Sequence, residues 1–206
     1  MDKLNAEFEP EFVPVIIESY AKKQQCFGNV EAKVKRDGGS SHYGWAVWQS
    51  DIICEGERHA VWKSPEGNLV DITPRDPAMD QILFISDNNL VYKGQLIDNV
   101  RINISSNKIV DDYILLIESV EILFTYGKRA NEDEINLPVQ IRALQCRLEE
   151  VSGILLEYIL FGGTHQTQCF CGEELRYKDC HGNTLKEDVQ FNLQKIDSMF
   201  KERPLK

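Results

Sequence analysis

Three residue types needed for thiol chemistry follow one another along the first half of the chain: Cys26, then His59, then Asp71. A cysteine attacks a carbonyl carbon as its thiolate, and a place at a helix N-terminus beside an imidazole favours that form by dipole and by charge. A carboxylate beside the ring fixes its tautomer and stabilises the imidazolium while the ring shuttles the proton. The backbone amide of Cys26 and a side chain from Gln24 or Gln25 are candidate oxyanion donors. A second group is made of Cys169-Phe170-Cys171-Gly172 and Cys180-His181-Gly182. Its three thiols and one imidazole suit zinc, and four protein ligands leave no position open for water, which is the pattern of a structural site. His165 is a spare ligand should His181 not serve.

The elements that must position these groups are legible in outline. Residues 13–20 form a helix or an incoming strand, and a helix follows from Cys26 to the Gly38-Gly39 pair. Residues 43–49, 58–62 and 69–73 are rich in aromatic and β-branched residues between turn formers, the signature of strands. Ser64-Pro65-Glu66-Gly67 joins the last two as a hairpin. With Gly67 in the left-handed position of an odd loop, residues whose numbers sum to an even value share a face. His59 and Asp71 satisfy this, which puts them opposite or diagonal, roughly 5 to 8 Å apart at Cβ. Trp45, Trp48 and Trp62 are expected as core or groove walls.

Further strands are expected at 82–85, 90–92 and 101–104. Helical spacing then covers 109–126 and 137–161, the second with Pro138 near its start and Gly162-Gly163 past its end. Its seam of Ile141, Leu144, Leu148, Val151, Leu155 and Tyr158 suits packing on the protein's own core or, as the alternative, a homodimer. A last helix over 184–201 has Asn183 as its candidate cap and Leu185, Val189, Leu193, Ile196 and Phe200 on one face. The expected class is α+β: an antiparallel sheet packed on an N-terminal helix, then helices and a small zinc-binding module. The corresponding domains are 1–106, 107–164 and 165–206.

The order of a Cys, a His-Ala-Val-Trp strand and Gly-Asn-Leu-Val-Asp-Ile-Thr-Pro, over residues 20–75, resembles the catalytic core of transglutaminase-like and papain-like cysteine enzymes. The resemblance implies Cys26 as nucleophile, His59 as base, Asp71 as the orienting acid, and an acyl-thioester resolved by water or an amine. The spacing from Cys26 to His59 is short for a transglutaminase, and no extended substrate-binding domain accompanies it. Residues 169–182 resemble the SEC-C motif, a short zinc module, through Cys-Phe-Cys-Gly, Arg-Tyr-Lys and Cys-His-Gly. Where that family usually has Ser-Gly-Lys this chain has Glu173-Glu174-Leu175, which removes positive charge.

Composition narrows the partners. A formal charge of -10 over 206 residues opposes general binding to nucleic-acid backbones or anionic membranes. A local patch of Arg176, Lys178 and Lys186 is the basic feature that would favour nucleic acid despite that balance. No apolar run reaches the roughly eighteen residues a membrane span requires, and no secretory signal stands at the N-terminus. The expectation is a cytoplasmic, cysteine-dependent hydrolase or acyl transferase acting on an amide or thioester bond of a protein or peptide. The zinc module would dock a protein partner. The alternative is a non-catalytic adaptor on the same fold.

Overall fold

The computed structural model describes residues 8–130 and 134–206. Among the described residues the protein is a mixed α+β chain with an antiparallel sheet and four α-helices, and it divides into two compact units. The first unit is Met1–Gln49 with Cys54–Lys93, and the second is Ser50–Ile53 with Gly94–Lys206.

The first unit carries β1 (Glu11–Pro14), helix α1 (Cys26–Asp37), β2 (Ser40–Gln49), β3 (Ile53–Lys63), β4 (Leu69–Val70) and β5 (Gln81–Ser86). Their order across the sheet is β1-β5-β2-β3-β4. Past β4 the chain returns beside the first strand: Asp71 N–H donates to the Pro14 carbonyl and Ile16 N–H to the Asp71 carbonyl, both at 2.9 Å. The sheet therefore curls until its ends are bridged, which leaves an inner and an outer face.

Side-chain alternation sorts the residues between those faces. Val13, Ala46, Val61, Ile82 and Phe84 gather inside, with Trp48 and Leu69 against them. Ala60 and Ile72 meet Cys26 and Val30 of α1, with Tyr43, Trp62 and Val70 at the margin. The interior is tight at Gly44, where a Cβ would lie 2.1 Å from the Ile85 carbonyl oxygen and 2.5 Å from the Phe84 ring.

The hairpin between β3 and β4 has the expected register. Trp62 pairs with Val70 and Lys63 with Leu69, Ser64 N–H donates to the Asn68 carbonyl at 2.8 Å, and Gly67 takes a φ of 94°. Loop length is thus odd, and His59 and Asp71 come out diagonal on the face that also carries Val61 and Leu69.

The second unit contains β6 (Val100–Asn103), α2 (Ile109–Phe124), β7 (Lys128–Arg129), β8 (Ile135–Asn136), α3 (Val139–Leu160) and α4 (His181–Met199). β7 and β8 pair antiparallel. Pro138 stands at the N-cap of α3, and Gly162 is left-handed just past its end. Ile141, Leu148 and Leu155 are core residues, and Leu144, Val151 and Tyr158 pack against them, so the whole seam lies in the unit's own core. No helix among the described residues is long and apolar enough to cross a membrane.

Of residues 13–20, expected as one helix or strand, only Val13 and Pro14 lie in a strand, and two further elements differ from expectation. Residues 90–92 are not a strand: Asp87 accepts the Asn89 N–H at 3.0 Å in a turn, and Tyr92 stacks on Phe27 at 3.8 Å between centroids. The last helix starts at His181, with Cys180 rather than Asn183 at the cap. The gathering of Cys180 and His181 with Cys169 and Cys171 sets that start.

Candidate functional site

Cys26 is the first residue of α1. At that position its amide has no acceptor within the helix, and the positive end of the helix dipole faces the thiol. The approach to it is fixed from inside the fold. Asn29 is buried, its Oδ1 accepts the Lys22 N–H at 2.9 Å, and its Nδ2 donates to the Lys22 carbonyl at 2.8 Å and to Thr73 Oγ1 at 3.3 Å. Between the two, Gln24 has a φ of 61°, the only positive value among described non-glycine residues. A side chain in that region is strained by the order of 1 kcal/mol, and the clamped loop absorbs it.

His59 and Asp71 are both fully buried. His59 Nε2 lies 3.1 Å from Asp71 Oδ1, and the same oxygen accepts the Thr73 N–H at 2.9 Å. With Nε2 given to the carboxylate, Nδ1 is the nitrogen left for proton exchange. Burial disfavours the charged imidazole, but hydrogen bonds to Asp71 and Cys26 and their negative charge outweigh it, and the ring is pushed up to about 9. For Asp71, burial works against the carboxylate, yet the His59 hydrogen bond and charge, the Thr73 amide and the Arg75 charge hold it below the ordinary value. Cys26, His59, Thr73, Gln24 and Trp48 line one pocket of about 640 Å³.

Arg75 and Glu57, which the sequence did not suggest, also line this pocket. Arg75 Nη1 pairs with Glu57 Oε2 at 3.1 Å, its guanidinium lies 4.5 Å from the Trp48 ring centroid, and Nη2 is 3.3 Å from His59 Nδ1. Trp48 Nε1 donates to Glu57 at 2.8 Å, completing the group. The only hint in the sequence is a charged residue directly after the Thr73-Pro74 strand end.

In the second unit Cys169, Cys171, Cys180 and His181 place their ligand atoms within 4.8 Å of one another, within metal-binding distance. Cys169 Sγ is 3.2 Å from His181 Nδ1, Cys180 Sγ is 3.4 Å from the same nitrogen, and Cys171 Sγ is 3.7 Å from Cys180 Sγ. Burial opposes the Cys169 thiolate, but amides of Cys171 and His181 bring it down to about 7. Desolvation and the neighbouring sulfurs push Cys180 up to about 11. His165, the spare ligand, stands elsewhere: its Nε2 is 3.2 Å from Asp112 Oδ2, and its ring stacks on Tyr177 at 5.6 Å.

Elsewhere in the first unit, His42 Nε2 is 2.8 Å from Ser86 Oγ, and Trp45, expected as a core or groove wall, is core, with the Arg58 guanidinium 3.6 Å from its ring centroid. Compared with known proteins, the chain matches no family model, no curated protein and no solved structure.

Proposed function

We propose that the first unit is a cysteine-dependent hydrolase or acyl transferase acting on an amide or thioester bond of a protein or peptide. The observation that carries the reading is one buried imidazole held by Asp71 at Nε2 and lining the same pocket as a thiol at a helix tip. A cysteine-bearing helix set against a closed antiparallel sheet that supplies the His and the Asp supports the likeness to the papain and transglutaminase core.

In this reading Cys26 gives its proton to His59 Nδ1 and its sulfur bonds to the carbonyl carbon. The imidazolium returns that proton to the departing amine or thiol as the C–N or C–S bond breaks, leaving a thioester. Water or an amine then attacks, with His59 accepting its proton, and the free thiol is restored. The Cys26 amide is the first candidate donor to the oxyanion, and Gln24, which lines the pocket, is the second.

For the second unit the proposed cofactor is zinc, held by Cys169, Cys171, Cys180 and His181. The donors fit: three sulfurs and one nitrogen are drawn together with no carboxylate among them. A bound cation would tie the loop at 169–171 to the start of α4. A protein partner docking there remains part of this proposal.

The test is alkylation by iodoacetamide, read peptide by peptide by mass spectrometry. Cys26 should label roughly tenfold or more faster than Cys54 and Cys146 at neutral pH. His59→Ala should slow Cys26 by about 10²-fold or more while circular dichroism stays unchanged. Equal, slow labelling of all three thiols sinks the enzyme reading and leaves a binding scaffold.

A further inference from the structure

Asp71 presents two carboxylate oxygens to the interior of the first unit, and only one is hydrogen-bonded. Oδ1 takes His59 Nε2 and the Thr73 amide, whereas Oδ2 is buried with no hydrogen-bond partner. A buried carboxylate oxygen left in that state costs free energy unless a charge compensates it. The group that faces it is Arg75, whose Nε lies 3.6 Å away and is itself buried without a hydrogen-bond partner. The separation is too long for a hydrogen bond, so what acts across it is charge.

Arg75 is held where it is from three other sides. Glu57 takes Nη1 at 3.1 Å, and the Trp48 ring lies under the guanidinium at 4.5 Å. Nη2 is 3.3 Å from His59 Nδ1 and 3.4 Å from Nε2. A nitrogen nearly equidistant from both ring nitrogens lies along neither lone pair, so it rests against the face of the imidazole. This contact leaves Nε2 to Asp71 and does not lie along the Nδ1 lone pair, and it fixes the plane of the ring. The planar guanidinium meets a carboxylate, an indole face and an imidazole face together, and its charge is what reaches the buried oxygen.

We propose that Arg75 is a positioning residue of the thiol site: clamped by Glu57 and Trp48, it is the counter-charge to the Asp71 oxygen that His59 does not engage, and it fixes both partners in register. The inference rests on the reading of Cys26 as a nucleophile. A role in capturing an anionic substrate fits less well, because Glu57 already neutralises the guanidinium on the pocket wall. The charged groups about His59 are Asp71 after β4, Cys26 on α1, Glu57 on β3 and Arg75 itself, with the Lys23–Asp76 pair at 3.2 Å on the pocket rim.

The experiment is the pH profile of Cys26 alkylation in the full chain for Arg75→Gln, Arg75→Lys and Glu57→Gln. Loss of the positive charge disfavours the thiolate, so the acid limb of the Arg75→Gln profile should move up by about one pH unit, a loss of roughly tenfold at pH 6 that closes as the pH rises. Arg75→Lys keeps the charge without the fork and should recover to within about threefold of the unaltered protein. Glu57→Gln loosens the clamp and should fall between the two. Circular dichroism reports whether each variant folds, and if Arg75→Gln does not, the other two carry the test.

A profile for Arg75→Gln that overlies the unaltered one, or that is faster throughout, overturns the inference. So does an Arg75→Lys variant as slow as Arg75→Gln. Failure of the parent reading is seen separately, in the unaltered protein: Cys26 then labels no faster than Cys54, and the role of Arg75 falls with it. Selective labelling that Arg75→Gln leaves unchanged removes Arg75 alone.

Discussion

Two regions of this chain combine cysteine with histidine and surround the imidazole with opposite company. Around His59 stand one thiol, one buried carboxylate and a guanidinium, each of a different charge type, in the wall of a pocket. Around His181 stand three sulfurs, with Cys171 exposed. An imidazole placed between a proton donor and a fixed anion can move a proton; one gathered with thiolates can share a cation. Polarity at the first site is resolved by unlike neighbours already in the protein, whereas the second gathers like neighbours into a donor set that could hold a metal ion.

The largest expected effect breaks the comparison on the metal side. Replacing Cys169 and Cys180 by serine, or stripping the cation with a strong chelator, should destabilise the second unit by on the order of 4 kcal/mol or more. Elemental analysis should give one zinc per chain before treatment and none after. The rate of Cys26 alkylation should stay within about twofold, as expected of independent sites. If stripping the metal instead abolished Cys26 labelling with the fold retained, the two clusters would not be separate devices.

A smaller effect sharpens the thiol side through pH. His59 is raised from 6.5 to about 9, so the folded state binds a proton more tightly than the unfolded chain. The stabilisation is therefore complete below pH 6.5 and is lost as the pH climbs through 9, at most about 3 kcal/mol in all. Urea unfolding of the unaltered protein should lose stability across that window relative to His59→Gln at the same metal content. Cys26→Ala should move the upper edge of the window down, since the thiol contributes to the rise. A difference between the two proteins that is flat from pH 6 to 9 would mean that the folded ring binds its proton no more tightly than the unfolded one.

Much of this arrangement was legible in local chemistry and the rest was not, for identifiable reasons. The hairpin that brings His59 and Asp71 to one face follows from Gly67 and an odd loop, a matter of a few adjacent residues. The bounds of α3 follow from Pro138 and Gly162 in the same way. The Arg75 clamp depends on β2, β3 and the segment after β4 meeting at one rim, and no spacing in the chain announces that Trp48, Glu57 and Arg75 will converge. Residues 90–92 had the composition of a strand, but a stack of Tyr92 on Phe27 decided their path. The start of α4 was misplaced because Asn183 is a good cap by type, while the convergence of Cys180 and His181 on the other two cysteines outweighs a single cap.

The smallest effect asks how the thiol site is held without a metal. Asn29 closes the loop from Lys22 by bonding both the N–H and the carbonyl of that residue, and it reaches Thr73, two residues past Asp71. Asn29→Ala leaves both Lys22 groups to find water or go unpaired, a loss of about 1 to 2 kcal/mol. The strained Gln24 lies inside that loop, so its release should let the approach to Cys26 relax and slow alkylation by a few-fold, without changing which thiol reacts first. Asn29→Asp retains the acceptor for the Lys22 N–H but loses the donor to its carbonyl, and should fall between the two in stability. A thiol site assembled from many neutral bonds should weaken by such increments, whereas a cation-bound loop should fail all at once. A collapse of the first unit in Asn29→Ala comparable to that caused by metal loss in the second would erase that distinction.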